Sequence, residues 1–334
     1  MTTHASITGI GSYLPERILT NAELETLVDT SDEWIRSRTG IVERRMVADD
    51  QATSDLAAAA LAPALLRAGV APTDIDLLIV GTSSPDMLFP STACLVQDRL
   101  GMVCPAFDVN AACSGFVYAL QAGVSAIESG RAGRVAVVGA DALTRIIDFT
   151  DRSTCVLFGD GAGAVVLEAT DEPGVLGIVL GADGSGADML KVPAGGSARP
   201  MTRDALDARE NFLTMNGSEV FRFAVKIIPR ATNEALAASG LSVADLDWLV
   251  PHQANQRIIQ TVEQRLGIPH DRVFSHVDRV GNTSAGSIPL ALDHLYTSGQ
   301  LAPGDLVALV GFGAGLTWGA GVVRWTMARP TKEA

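Results

Sequence analysis

The chain has 334 residues, 47% of them hydrophobic, which is enough to bury a substantial core as one large domain or two ordinary ones. A net charge of −13 argues against a nucleic-acid surface, because nonspecific phosphate binding is mainly electrostatic. Cys94, Cys104, Cys113 and Cys155 lack paired spacing, so neither zinc nor a disulfide framework is indicated, and no signal peptide or membrane-length apolar run is present; a cytoplasmic protein is expected.

Taken in chain order, "TSD" at 53–55 supplies N-caps for an Ala/Leu-rich helix ending near Gly69. The following "DLLIV" is continuously apolar, as in a strand covered on both faces. Next, "CPAFDVN" reads as a strand and "SGFVYALQAGVSAIES" as a helix, with Cys113 between them. A helix start carries partial positive charge and free N–H groups, which favour thiolate and could receive an oxyanion. A small buried thiol at a tight turn is the competing explanation. "RVAVVG" at 134–139 is a further strand, and the polar "PAGGSARPMTRDALDAREN" at 193–211 reads as an inserted loop. The glycine-rich "FGDGAGAVV" at 158–166 and "GFGAGLTWG" at 311–319 lack the nucleotide-binding patterns and suit close backbone packing.

The second half of the chain repeats the first. "SGLSVADLDWLVP" at 239–251 matches "AGVAPTDIDLLIV" at 68–80, with Gly69 and Gly240, Asp74 and Asp245, and Asp76 and Asp247 each 171 residues apart. "NTSAGSIPLAL" at 282–292 matches "NAACSGFVYAL" at 110–120, and "LVALVG" at 306–311 matches "RVAVVG", both at an offset of 172. One register held through three patterns predicts two similar α/β halves, 1–172 and 173–334, packed about a pseudo-twofold axis with mixed, mainly parallel sheets.

Divergence between the copies marks the candidate chemistry. Cys113 corresponds to Ala285, and "VGTSS" corresponds to "PHQAN", which puts His252 at a strand's carboxyl end, where ligands of open α/β folds sit. His4 is terminal, while His270, His276 and His294 are expected on surface loops or helix faces. Asn282 opens the twin of the Cys113 turn; its default role is a turn or cap, and its amide could instead donate to a carbonyl oxygen. Cys, His and Asn together suit an acyl group held on sulfur and a second carbonyl developing negative charge.

"TSDEWIRSRTGI", "NAACSGF", "FGDGAGA", "LDWLVPHQAN", "GNTSAGS" and "FGAGLTWG", in this order, closely resemble the β-ketoacyl-acyl carrier protein synthase III family of the thiolase-like superfamily. The resemblance implies an α/β thiolase-like fold with two duplicated halves in a layered αβαβα arrangement. It implies a Cys113, His252 and Asn282 triad, with an oxyanion hole from the backbone amides of Cys113 and Ala314, where many relatives have glycine. Trp34, Arg38, Arg152 and Asn255 would bind CoA; Phe89, reaching across a homodimer interface, would bound the primer pocket with Leu143, Phe158 and Leu213. Gln253, Ala254, Asn255, Gln256, Arg257, Arg222 and Arg265 would meet the acyl carrier protein, with Gln264 standing where some relatives have lysine. The implied reaction joins a short acyl-CoA primer, acetyl-CoA favoured, to malonyl-acyl carrier protein with loss of CO2 and no cofactor or metal. A polyketide starter-unit synthase or a simple acyltransferase of the same architecture is the alternative, and a noncatalytic CoA-binding protein is a third reading.

Overall fold

The continuously apolar strands of the sequence lie at the centres of two sheets. A computed structural model describes residues 3–330. Its larger elements begin with β1 (His4–Tyr13), α1 (Asp32–Thr39), α2 (Thr53–Ala68), β2 (Leu77–Gly81), β3 (Ala106–Val109), α3 (Gly115–Glu128), β4 (Arg134–Asp141) and β5 (Gly161–Thr170). They continue with β6 (Val175–Ala182), α4 (Gly217–Ala238), β7 (Trp248–Pro251), α5 (Gln256–Leu266), α6 (Ser287–Thr297), β8 (Leu306–Gly313) and β9 (Thr317–Arg324). The first sheet runs β1-β5-β4-β2-β3 and the second β6-β9-β8-β7.

The second order repeats the first, strand for strand, with two antiparallel pairings and then a parallel one. The counterpart of β3 shrinks to a parallel bridge between Leu249 and Val273. The sheets are mixed but not mainly parallel: β9 follows β8 through only residues 314–316, and so short a connection permits only an antiparallel return. β5 takes the same place beside β4.

α2 packs on the outer face of the first sheet, α4 on that of the second, and α3 and α6 lie between the two sheets, giving five layers in αβαβα order. α3 can occupy the middle because it is apolar on several sides: Phe116, Val117, Leu120, Val124 and Ile127 are all buried. Three hydrophobic clusters follow the layering, one under α2, one around the central helices and one under α4.

α2 ends at Gly69, which is left-handed with φ of 67°, but Thr53 and Ser54 are not its caps. Ala52 occupies the cap position and Asp55 receives its N–H at 2.8 Å. Thr53 and Ser54 instead donate to Ser84 O at 2.5 Å and Asp86 Oδ2 at 2.7 Å, tying the helix to the loop after β2.

α3 and α6 start alike. Each is preceded by a single 3-10 turn, Ala112–Ser114 and Ser284–Gly286, and each turn holds a non-glycine residue at positive φ, Ala112 at 47° and Ser284 at 49°. These two residues are 172 apart, the offset of the repeat. The second turn fits over the first sheet because Gly139 has no side chain: a Cβ there would lie 2.1 Å from Ala285 O. Among the described residues, no helix is long and apolar enough to cross a membrane.

Candidate active site

The two halves meet at a cavity of about 200 Å3 lined by Cys113, His252 and Asn282. Cys113 reaches it from the turn before α3, His252 from the end of β7, and Asn282 from the loop before α6. A second cavity of about 230 Å3 adjoins it, sharing Cys113, Phe158 and Leu190 and reaching Leu143 and Leu213. The thiol thus sits where the two spaces join.

Cys113 is only 7% exposed. Burial pushes its thiol up to about 12, the Ser284 hydroxyl opposes that rise and the buried Asp141 carboxyl adds to it. Burial thus biases the group toward the protonated thiol, against the pull toward thiolate expected of the helix start. His252 is equally dry: burial lowers its imidazole to about 3, so the ring is neutral. Its Nδ1 is buried without a hydrogen-bond partner, and its ring packs edge-on against Phe312 with centroids 5.6 Å apart. Asn282 Oδ1 accepts the Ser284 N–H at 2.9 Å, which commits that oxygen and leaves the NH2 as the group offered to the cavity. Its backbone is fixed on both sides, donating to Leu157 O at 2.9 Å and accepting from Gly159 N at 3.0 Å.

The end of β8 lies against the Cys113 amide: a Cβ on Gly313 would stand 2.6 Å from Cys113 N. Ala314 follows and lines the second cavity beside Cys113. Positive φ occurs at Ala112, Arg209 and Ser284 among the non-glycine residues described but not at Ala314, so alanine fits this turn without strain.

Of the four residues expected to bind CoA, Asn255 lines the first cavity, and Arg152 directly precedes Ser153, which also lines it. The Arg152 guanidinium lies over the Trp34 ring at 5.0 Å, and Asn255 Nδ2 donates to Arg38 O at 3.3 Å. Trp34 is half-buried and packs on the core. Asn255, Arg222 and Arg257 line an adjacent surface groove, with Arg257 stacked on Phe221 at 5.6 Å.

Other expected residues do not join them. Gln253 is fully buried: its N–H donates to Ser287 Oγ, its Nε2 to Pro251 O and Phe274 O, and its Oε1 accepts the His276 N–H. It holds the His252 loop and presents nothing to a docking protein. Ala254 is also buried and faces the cavity rather than the surface. Arg265 lies two turns along α5 from Arg257, roughly 12 Å away by helix rise, and donates to Val225 O at 2.7 Å. His276 and His294 are not at the surface; they are a buried and a half-buried ring, hydrogen-bonded through Nδ1 atoms 2.8 Å apart. Phe89 is 84% exposed and lines neither cavity of its own chain.

The roots of the 193–211 loop form part of the second cavity, since Leu190–Lys191 pairs with Thr214–Met215 and Leu190, Val192 and Leu213 line the wall. Within it lies one short helix, Arg203–Asp207, and Arg209 clasps the Asp148 carboxylate, whose pKa falls to about 2 mainly through that bond. Phe312 and Phe221 line the cavity without having been singled out in the sequence. The repeat carried a signal for Phe312, which stands opposite Ala140. Among the described residues, no three His, Cys, Asp or Glu side chains are grouped to hold a metal ion.

A buried thiol, a neutral imidazole and an amide NH2 converging at the helix starts of an αβαβα fold define an acyl-transferring enzyme of thiolase-like architecture. Residues 107–184 match the family described as 3-oxoacyl-[acyl-carrier-protein (ACP)] synthase III, and residues 236–325 match its C-terminal counterpart. β-Ketoacyl-[acyl-carrier-protein] synthase III of Xanthomonas campestris pv. campestris is 54% identical over 326 residues, covering 96% of this chain and 98% of that one. The structure of the Thermus thermophilus synthase III superimposes with a TM-score of 0.89 at 48% identity, covering 96% of this chain and 99% of the other. A priming β-ketosynthase of a polyketide biosynthetic pathway aligns with a TM-score of 0.91 at 38% identity, over 98% and 97% of the two chains. The chain belongs to the β-ketoacyl-[acyl-carrier-protein] synthase III family of condensing enzymes.

Proposed function

We propose that the protein loads a short acyl group, acetyl in preference, from acyl-CoA onto Cys113 and condenses it with malonyl-acyl carrier protein, starting a fatty-acid chain. The observation that carries this reading is the shared cavity of Cys113, His252 and Asn282, lined also by Asn255, which donates to Arg38 O. In the first half-reaction the Cys113 sulfur attacks the thioester carbonyl, the carbon–sulfur bond to CoA breaks, and the thiol proton leaves with CoA. The tetrahedral oxyanion would be held by the amides of Cys113 and Ala314.

In the second half-reaction the malonyl carbon–carboxylate bond breaks, CO2 leaves, and the electron pair forms an enolate. Two neutral donors, the His252 imidazole and the Asn282 NH2, would hold the enolate oxygen; a dry imidazole suits this better than an imidazolium, which could simply protonate the carbanion. The carbanion attacks the acyl carbonyl, the bond to Cys113 breaks, and the sulfur takes up one proton. Every step uses the chain's own groups and the two substrates, without cofactor or metal.

On this reading residues 1–172 supply the nucleophile and 173–334 the enolate donors, and Arg222 and Arg257 steer the acidic carrier protein to the groove beside Asn255. Leu88, Phe89 and Val103 flank the short helix Thr92–Arg99 beside edge strand β3 and are over 80% exposed, which fits a homodimer joined along that edge. All four cysteines are free, as suits a cytoplasmic enzyme.

Mass spectrometry after exposure to acetyl-CoA tests the reading: the wild type gains one acetyl group on Cys113 and Cys113→Ala gains none. Asn282→Ala still acylates but condenses on the order of 100-fold more slowly, the usual cost of a lost oxyanion donor. Equal loss of both steps in Asn282→Ala refutes its assigned role. Acetyl transfer from CoA without CO2 release from malonyl-acyl carrier protein refutes the condensing activity.

A further inference from the structure

Two hydroxyl groups join the nucleophile's turn to the turn that carries Ala314. Ser114, fully buried, has its Oγ 2.7 Å from Ala111 O and 2.8 Å from Thr317 Oγ1. Thr317 Oγ1 in turn lies 2.8 Å from Ala111 O and 3.0 Å from Ala314 O. The two available protons therefore bind together the carbonyl preceding the Cys113 turn and the carbonyl of Ala314, groups more than 200 residues apart in the chain.

The twin site shows what the fold itself requires. By the repeat, Ser114 corresponds to Gly286; by sheet register, Thr317 opposite Gly313 corresponds to Gly161 opposite Asp141. The twin thus sets glycine against glycine, so tightly that a Cβ on Gly286 would stand 2.5 Å from Gly161 O. Its turn still reaches the same positive φ, so the Ser114 and Thr317 hydroxyls are not needed to build such a turn. They occur where a thiol and an adjoining turn must act together.

We propose that Ser114 and Thr317 are positioning residues that fix the amide of Cys113 relative to the amide of Ala314, so that both converge on one oxyanion. Each clamped carbonyl lies one peptide plane from the amide it positions. Donors must stand about 2.7–3.1 Å from the oxyanion, so slippage between the turns weakens both bonds in the transition state while leaving ground-state binding of acyl-CoA intact. The inference rests on acylation of Cys113 as proposed above.

Single-turnover acetylation by acetyl-CoA, followed by quenched mass spectrometry, tests it with Thr317→Val and Thr317→Ser beside the wild type. Thr317→Val keeps the shape but loses the hydroxyl; it should acylate about 10- to 100-fold more slowly, below the full loss of a donor, with KM for acetyl-CoA changed less than about threefold. Thr317→Ser should recover to within about threefold of wild type. If Thr317→Val fails to fold, Ser114→Ala carries the same expectation. Wild-type rate in the hydroxyl-free variant, or a serine variant as slow as the valine one, overturns the clamp. A wild type that gains no acetyl group overturns the acylation reading, and the clamp with it.

Discussion

His252 and Cys113 are both held neutral by burial, with opposite consequences for pH. An unfolded histidine takes a proton near 6.5, whereas folded His252 resists it until about 3. The unfolded state therefore binds more protons in that window, and stability falls as pH drops from about 6.5 toward 3. His276 and His294, also lowered chiefly by burial, act in the same direction. Between pH 6.5 and 5 the His252 share is on the order of 1–2 kcal/mol. Urea unfolding at the two pH values should show a smaller loss in His252→Gln than in the wild type; equal losses would mean that water reaches the ring. Cys113 works at the alkaline end: its unfolded thiol ionises near 9 and its folded thiol near 12, so stability falls as pH rises through that interval.

At the level of elements, the site depends on how closely helix starts approach strands. Gly139→Ala would drive a methyl group into the Ala285 carbonyl and should cost more than about 3 kcal/mol, whereas Gly196→Ala, with open space around it, should cost less than about 0.5 kcal/mol. Urea midpoints of the two variants decide this, and similar values would show that the α6 start can shift. These approaches are also where sequence reading stops. The repeat, the apolar strands and the placement of Cys113, His252 and Asn282 were legible because each depends on local pattern or register. The antiparallel share of the sheets was not, since an apolar run looks the same in either direction. His276 read as a surface residue because polar side chains usually are, and Gln253 was expected at the carrier-protein surface by resemblance; Gln253 is buried against the His276 backbone N–H, 23 residues away, and the His276 ring against His294.

In the molecule as a whole, an apolar face lies open to solvent. Leu88, Phe89 and Val103 are each more than 80% exposed beside edge strand β3, and an open strand edge invites pairing. Light scattering should give the mass of two chains for the wild type and of one for the Leu88→Asp, Val103→Asp double variant; a monomeric wild type would sink the homodimer. The duplication also supplies its own control. Ala112 and Ser284 share an uncommon backbone twist, yet only the first precedes a thiol. The twist beside Cys113 therefore recurs where no thiol follows, so it does not by itself mark a reactive residue, and the positions to compare across relatives are those where the twins disagree.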